Sequence, residues 1–362
     1  MKIIAFHLPQ YHSIPENDRW WGEGFTEWTN VKKAEPLFKD HNQPRVPHHE
    51  YYYNMLDPKA RRWQADLAKQ YGIYGFCYYH YWFNGKLLLE KPLEAIIEDS
   101  GYDLSFCVCW ANEPWTRSWD GKTNEILMAQ EYGSEKDWRE HFDYLLKLFK
   151  DNRYIKINNK PLFIIYKALS IPTAEEMFGL WNNLAIEHGF EGIHLVEMIN
   201  GLQKEPITKS SQAVIHFEPN YTMINDMNTL DKIERRLFRY YHSLRKNTSL
   251  LKIESYDMIW KKILKRKKMF NTRKEYLGAF VDWDNSPRRN KEATIFIGAS
   301  PEKFQKYLSK QIKRSREIYD SEFIFINAWN EWAEGTYLEP DEKNGYGYLE
   351  AVKNALENNG NN

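Results

Sequence analysis

A single (β/α)8 barrel, the TIM-barrel class of α/β folds with long aromatic-rich βα loops, is the fold this sequence predicts, and three observations predict it. Short apolar runs alternate with longer amphipathic segments from end to end, about eight times over. The runs are continuously apolar rather than alternating in polarity, as a parallel sheet covered by helices requires. Acids, amides and indoles recur just past the C-terminal ends of the runs, where barrels gather their chemistry. No Gly-x-Gly-x-x-Gly follows the first run, which speaks against a doubly wound open sheet.

The expected strands are Ile3–Leu8, Gly75–Trp82, Ser105–Trp110, Leu162–Lys167, Ile193–Met198, Ala213–Phe217, Leu277–Trp283 and Phe323–Ala328. Apolar spacing near 3.6 residues predicts helices over Pro58–Gln70, Leu87–Asp99, Glu135–Phe149, Thr173–His188, Leu230–Leu244, Tyr256–Lys265, Pro301–Tyr319 and Leu349–Leu356. A chain of 362 residues admits two domains or one barrel. No linker divides it, so residues 1–362 are expected to form a single domain, with a flexible Asn-rich tail from about residue 357. The stretch Tyr11–Tyr53, rich in Pro, His and rings, is expected to be an ordered loop over the barrel mouth.

Composition narrows the function classes. Lys+Arg and Asp+Glu are equal at 50 each, so no net field recruits nucleic acid or an anionic membrane. No apolar run approaches the roughly 20 residues of a membrane span. The N-terminus lacks the pattern of a signal peptide, and the location expected is cytoplasmic, or periplasmic or secreted if a signal has been removed. Three cysteines, Cys77, Cys107 and Cys109, make no disulfide framework, and the last two are expected in packing. Aromatic residues reach 16%, with 14 Trp and 24 Tyr, more amphipathic rings than a core needs and a hint of a carbohydrate cleft.

The most informative stretch is Asn327-Ala328-Trp329-Asn330-Glu331-Trp332-Ala333-Glu334-Gly335-Thr336. Glu331 and Glu334 stand just past the last strand, interleaved with indoles. Glycoside chemistry needs one carboxyl that holds a proton for the leaving oxygen and another that stays ionised, and water-excluding rings separate the two roles. On an arbitrary surface the same spacing is a pair of solvated acids. The other strand ends supply candidate substrate contacts. They are His7, Tyr11, Trp21 and Glu27 after the first strand, and Tyr79 and His80 on the second. Trp110, Asn112, Glu113, Trp115, Arg117, Trp119 and Asp120 follow the third. Glu218 and Tyr221 follow the sixth, Asp282, Asp284 and Arg288 the seventh, and Trp329 and Asn330 the eighth.

Singly, each has a plainer explanation. His80 fits a packed, hydrogen-bonded histidine, Arg288 a partner of Asp284, and Glu218 a cap for the next segment. The run Lys261–Lys268 reads as the solvated face of an outer helix. His48-His49-Glu50 hints at a metal, but adjacent histidines project differently and no partner spacing supports them. No metal or cofactor is expected.

The motifs Phe6-His7-Leu8-Pro9-Gln10-Tyr11-His12 and Trp20 through Val31 resemble the N-terminal block of the WbsX-like, glycoside hydrolase family 99-like proteins. Trp110 through Gly121, Asp284-Asn285-Ser286-Pro287-Arg288 and Asn327 through Asp341 resemble the remaining blocks, so the likeness spans nearly the whole chain. It departs at Pro114, where the family usually has a polar residue. The resemblance implies a metal-independent barrel related to retaining endo-α-mannosidases, in a family often described as polysaccharide-biosynthesis glycosyltransferases. Glu331-Trp332-Ala333-Glu334-Gly335-Thr336 is similar to the family 99 motif Glu-Trp-His-Glu-Gly-Thr, with Ala333 in place of histidine. By that likeness Glu331 is the base that helps the sugar's own 2-hydroxyl attack the anomeric carbon. Glu334 is the general acid, then the base for water.

The function expected is a retaining glycoside hydrolase or transglycosylase on a complex, α-mannoside-like glycan, with carbohydrate as the partner. The alternatives are a glycosyltransferase of O-antigen, capsular or lipopolysaccharide assembly, and a non-catalytic glycan-binding barrel. In a mechanistic variant Glu113, in Asn112-Glu113-Pro114, is the acid/base opposite Glu331 as nucleophile. No phosphate-cradling loop favours the transferase, and Asp282-Trp283-Asp284 matches Asp-x-Asp only by spelling.

Overall fold

The computed structural model describes residues 1–117, 125–201, 203–246 and 251–360. Its eight main strands are β1 (Lys2–His7), β2 (Ile73–Phe83), β3 (Ser105–Trp110), β4 (Lys160–Ile165), β5 (His194–Ile199), β6 (Ala213–His216), β7 (Lys274–Phe280) and β8 (Phe323–Asn327). Each pairs in parallel with its neighbour in sequence, and β1 pairs with both β2 and β8. The sheet is therefore a closed barrel with no edge to protect. Rings fill its interior: Phe6 stacks on Tyr79 at 5.7 Å and meets Phe217 and Phe325 at 5.9 and 5.8 Å. Cys77, Cys107 and Cys109 are buried, unbridged packing residues on β2 and β3.

The helices around the barrel are α1 (Pro58–Gln70), α2 (Lys91–Glu98), α3 (Glu135–Phe149), α4 (Ala174–Glu187), α5 (Thr229–Lys246), α6 (Tyr256–Lys265), α7 (Pro301–Glu317) and α8 (Gly347–Glu357). Their starts follow from local chemistry. Asp57 caps α1 by accepting from the Lys59 amide, Ser300 caps α7 through Lys303, and each has Pro at its first turn. Ser134 and Asp137 form a capping box at α3.

Two features differ from the sequence reading, the start of one helix and a small second sheet, while the β5–β6 connection agrees with it. The helix expected over Leu87–Asp99 starts only at Lys91, because β2 runs past the barrel and turns back on Lys86–Leu88 as a hairpin. Among the described residues no helix joins β5 to β6. That connection is gathered instead by Glu197, which accepts from Gln203, Ile207 and Thr208. Outside the barrel, Lys252–Ser255 and Thr294–Ile297 pair in parallel, too short to be read from pattern. They bury Ile253 and Ile295 beneath Leu37, Phe38 and Phe238.

The arm from Tyr11 to Tyr53 does lie over the C-terminal mouth, holding short helices Pro15–Trp21 and Glu27–Lys32. Trp28 packs on Trp332 at 5.5 Å, Arg45 reaches Asp282 at 2.9 Å, and Pro47 bridges to Asp341. No helix among the described residues is long and apolar enough to cross a membrane.

Candidate active site

The acid pair sits on a small, rigid turn built by its own sequence. Asn330–Glu331 pairs antiparallel with Thr336–Tyr337, and Trp332–Glu334 makes one 3-10 turn between them. Gly335 closes the turn at φ +65°, and a Cβ there would meet Asp284 backbone atoms at 2.9 Å. Only glycine satisfies both demands. Asn330 anchors the other side, accepting from the Leu8 amide at 2.8 Å and donating to the Leu8 carbonyl at 3.0 Å. Tyr11 donates to the Asn330 carbonyl. Trp332 stacks on Tyr337 at 3.8 Å and donates its indole N–H to Glu339 at 2.6 Å.

Glu331 and Glu334 line a cavity of about 370 Å³ at the C-terminal mouth, with Tyr79, Tyr81, Glu113, Trp115, Tyr166, Trp283 and Arg288 among its walls. A second cavity of about 240 Å³ adjoins it, sharing Trp115 and Arg288 and lined also by Trp20, Trp21, Glu27 and Arg117. A larger cavity of about 630 Å³ opens among residues at the N-terminal ends of the strands, where Asp320 and Glu322 are solvated. It holds no buried acid, and the acid-lined mouth is the better candidate.

Arg288 is the hub of the site. Its guanidinium donates to Glu334 at 2.6 Å, to Glu27 at 2.6 Å and to Glu331 at 3.4 Å. It does not pair with Asp284, whose carboxylate is taken by His41 at 2.9 Å and Gln43 at 2.7 Å. Burial, and then Glu334 beside it, pushes the Glu331 carboxyl well above its usual range. Burial also raises Glu334, against the pull of Arg288. Asp284 goes the other way, to about 2, because His41 and Arg45 outweigh its burial. Carboxyls around one mouth are thus shifted in opposite directions, Glu331 and Glu334 up by burial and Asp284 down by the cations that face it.

The remaining candidates divide by location. Tyr79, Glu113 and Trp115 reach the main cavity, and Trp21, Glu27 and Arg117 the adjoining one. Glu113 is half-exposed and tied to Lys167 at 2.9 Å. Asn112 holds the backbone of Lys167 at both its amide and its carbonyl. Seven others lie behind the walls. His7 meets Gln64 at 3.1 Å, His80 meets His141 at 2.8 Å, and Trp110 donates to the Trp82 carbonyl. Trp329 packs on Phe76, Glu218 pairs with Arg266 at 2.6 Å, and Tyr221 lies 4.6 Å over that guanidinium. Asp282 pairs with Arg45. Trp119 and Asp120 lie outside the described residues.

Sequence reasoning missed Tyr81, Tyr166 and Trp283 as cavity walls, and Glu339 beneath the turn. Glu339 is buried and accepts from Trp332, Tyr53 at 3.0 Å and Gln64 at 2.7 Å. Burial lifts its carboxyl to about 7. The signal available was one acid in the apolar run Tyr337-Leu338-Glu339-Pro340.

The barrel resembles solved structures at low identity. The GH99 endo-alpha-mannosidase of Bacteroides thetaiotaomicron superposes with a TM-score of 0.57 at 12% identity, over 98% of this chain and 96% of that one. A glycoside hydrolase-like protein superposes with a TM-score of 0.62 at 14% identity, over 98% and 93%. Two curated relatives, both described as uncharacterized protein WxcX, come from strains of Xanthomonas campestris pv. campestris. Each is 34% identical over 360 residues, and the chain, 98% of which aligns, spans about half of their length (49%). Matched from residue 3 to residue 352 by the family model described as glycosyltransferase WbsX, the chain belongs to the WbsX family, on a barrel of the GH99 type.

Proposed function

We propose that the protein is a retaining glycoside hydrolase or transglycosylase acting on a complex glycan, α-mannoside-like in its reacting sugar. The observation that carries this reading is the pair Glu331, buried, and Glu334, a quarter exposed, on one wall of an aromatic cavity and sharing one guanidinium. Among the described residues three carboxylates face Arg288, and with the exposed Arg289 nearby the negative charges still outnumber the positive, which favours keeping a proton. A carboxyl that holds a proton near neutral pH is what a general acid needs.

In the reaction, Glu331 takes the proton of the sugar 2-hydroxyl as that oxygen closes on the anomeric carbon. Glu334 gives its proton to the departing glycosidic oxygen. Water then opens the ring, losing a proton to Glu334 while Glu331 returns one to the 2-oxygen, and configuration is retained overall. As the side chains stand, Arg288 is tighter on Glu334 than on Glu331. The assignment therefore requires the arriving sugar to draw Arg288 toward Glu331, which frees Glu334 to carry the proton.

Proton NMR of the protein with α-mannans and bacterial surface polysaccharides tests this. New anomeric signals, first in the retained configuration, are expected. Glu334→Gln should lower turnover of substrates with poor leaving groups by about 10² to 10⁴. Near-wild-type rates in that variant would sink the assignment.

The family's description favours a second reading, transfer from an activated sugar, and the exposed Arg289 on the cavity wall offers a cation to a phosphate. Tight binding of a sugar nucleotide, with no glycan cleaved, would put that reading first. Glycan binding unchanged in both Glu→Gln variants, without turnover, would make the barrel a binding protein.

A further inference from the structure

Where the arm crosses the segment after β8, His48 and His49 meet Glu342, a partner 293 residues further on. One ligand atom from each of the three side chains lies within 4.8 Å of the other two. The surroundings hold this arrangement in place. His49 donates its amide N–H to Glu342 Oε1 at 2.6 Å, which orients the carboxylate and leaves its second oxygen for another partner. The His48 ring stands edge-on to Tyr346 at 5.3 Å. Backbone bonds from His48 to Pro340 and from Glu342 to Val46 hold the two segments in register. Into this setting points His48 Nδ1, shielded from solvent and without a hydrogen-bond partner, 3.5 Å from Glu342 Oε1. A shielded imidazole nitrogen aimed at a carboxylate has two ways to be satisfied, a proton or a metal ion.

We propose that His48, His49 and Glu342 bind one divalent transition-metal ion of the zinc, nickel and copper class. Two imidazoles and one carboxylate are the donor set these ions prefer over magnesium or calcium, and a fourth position is left for water. The site is distinct from the acid pair and independent of its chemistry. Its effect is that of a latch. The arm that supplies Glu27 and Arg45 to the mouth becomes joined through the metal to the chain that carries Glu331, Glu334 and Glu339. The hydrogen bond that the His49 amide donates to Glu342 is the kind of contact that fixes a ligating carboxylate.

The test strips the full chain with a chelator and titrates it with zinc or nickel by calorimetry. One ion per chain and a rise in melting temperature are expected. Bound copper should show nitrogen couplings from two imidazoles in its electron spin resonance spectrum. His48→Ala and Glu342→Ala should each weaken binding by at least about tenfold, while His188→Ala, at the C-terminal end of α4, leaves it unchanged. Glu342→Gln keeps the acceptor for the His49 amide and serves if alanine disturbs the turn. Absence of saturable one-to-one binding, or equal affinity in the His48 and Glu342 variants, overturns the proposal.

Discussion

Two strand ends of this barrel pair buried glutamates with a buried arginine, and they are built to opposite effect. After β6, Arg266 lies between Glu218 at 2.6 Å and Asp226 at 2.6 Å, with Thr222 donating its amide to Glu218 and Tyr221 covering the guanidinium. Glu218 and Arg266 are almost fully closed off, and none of the cavities at the mouth touches Glu218. After β8, Arg288 faces three carboxylates instead of two, one of them a quarter exposed, at the wall of a cavity. The first cluster sets one cation against two carboxylates, and burial raises Glu218 there too, but its hydrogen bonds are satisfied and neither mouth cavity reaches it, so it fixes structure. The second is left one carboxylate further from balance, and that surplus is where a proton can be held and released.

Replacing each arginine by glutamine should separate the two most sharply. Arg266→Gln strands Glu218 without a cation in a closed site, and a loss on the order of 3–5 kcal/mol in thermal or denaturant unfolding is expected. Arg288→Gln should lose less stability, because its acids reach a solvent-accessible wall. It should instead move the acid limb of the pH–rate profile upward, since Arg288 lowers both Glu331 and Glu334. Equal stability losses, with no shift in the profile, would erase the distinction.

Glu339 offers a smaller effect with a definite sign. Burial raises its folded carboxyl from an ordinary 4.5 to about 7. The folded state therefore holds this proton more tightly than the unfolded chain does. The associated stability is fully present below about pH 4.5 and is lost as pH rises through 7, by roughly 3 kcal/mol. Melting temperatures of wild type should fall across that window. Glu339→Gln should flatten that part of the curve, even if it lowers the baseline by disturbing Trp332. An unchanged slope in the variant would remove Glu339 as its source.

The sequence made the barrel legible because strand and helix periods are local. Ser105–Trp110, for instance, needs nothing distant to be recognised as a buried strand. Glu331, Glu334, Arg288 and Trp115 could also be gathered into one site, since each follows a strand end and closure of the barrel does the rest. What could not be read was which strand-end residue turns inward and which is claimed by a remote partner. Glu218 and Glu331 look alike in the sequence until Arg266 is placed, 48 residues after the former. Asp284 and Asp282 are taken by His41, Gln43 and Arg45, more than 200 residues earlier. The basic run at Lys261–Lys268 is mostly a solvated face, yet Arg266 within it is the buried cation of the β6 cluster.

Gly335 gives the smallest of these effects and the most local test of how the β8 site is held. Its φ of +65° and its approach to Asp284 leave no room for a methyl group. Gly335→Ala should cost about 1–3 kcal/mol through backbone strain and the contact that must open. The same shift should reach the chemistry, because the Asp284 amide donates to the Glu334 carbonyl at 2.7 Å. Pushing the turn off Asp284 moves the Glu334 backbone, and with it the carboxylate that must meet the leaving oxygen. A misplacement near 1 Å is worth up to about 10² in rate. Turnover measured well below the variant's melting temperature should therefore fall by more than its unfolded fraction explains. A comparable strain placed at the β6 cluster should lower stability and leave the rate per folded molecule alone. If Gly335→Ala does only that as well, the turn positions the fold and not the acid, and the contrast between the two arginine clusters rests on charge alone.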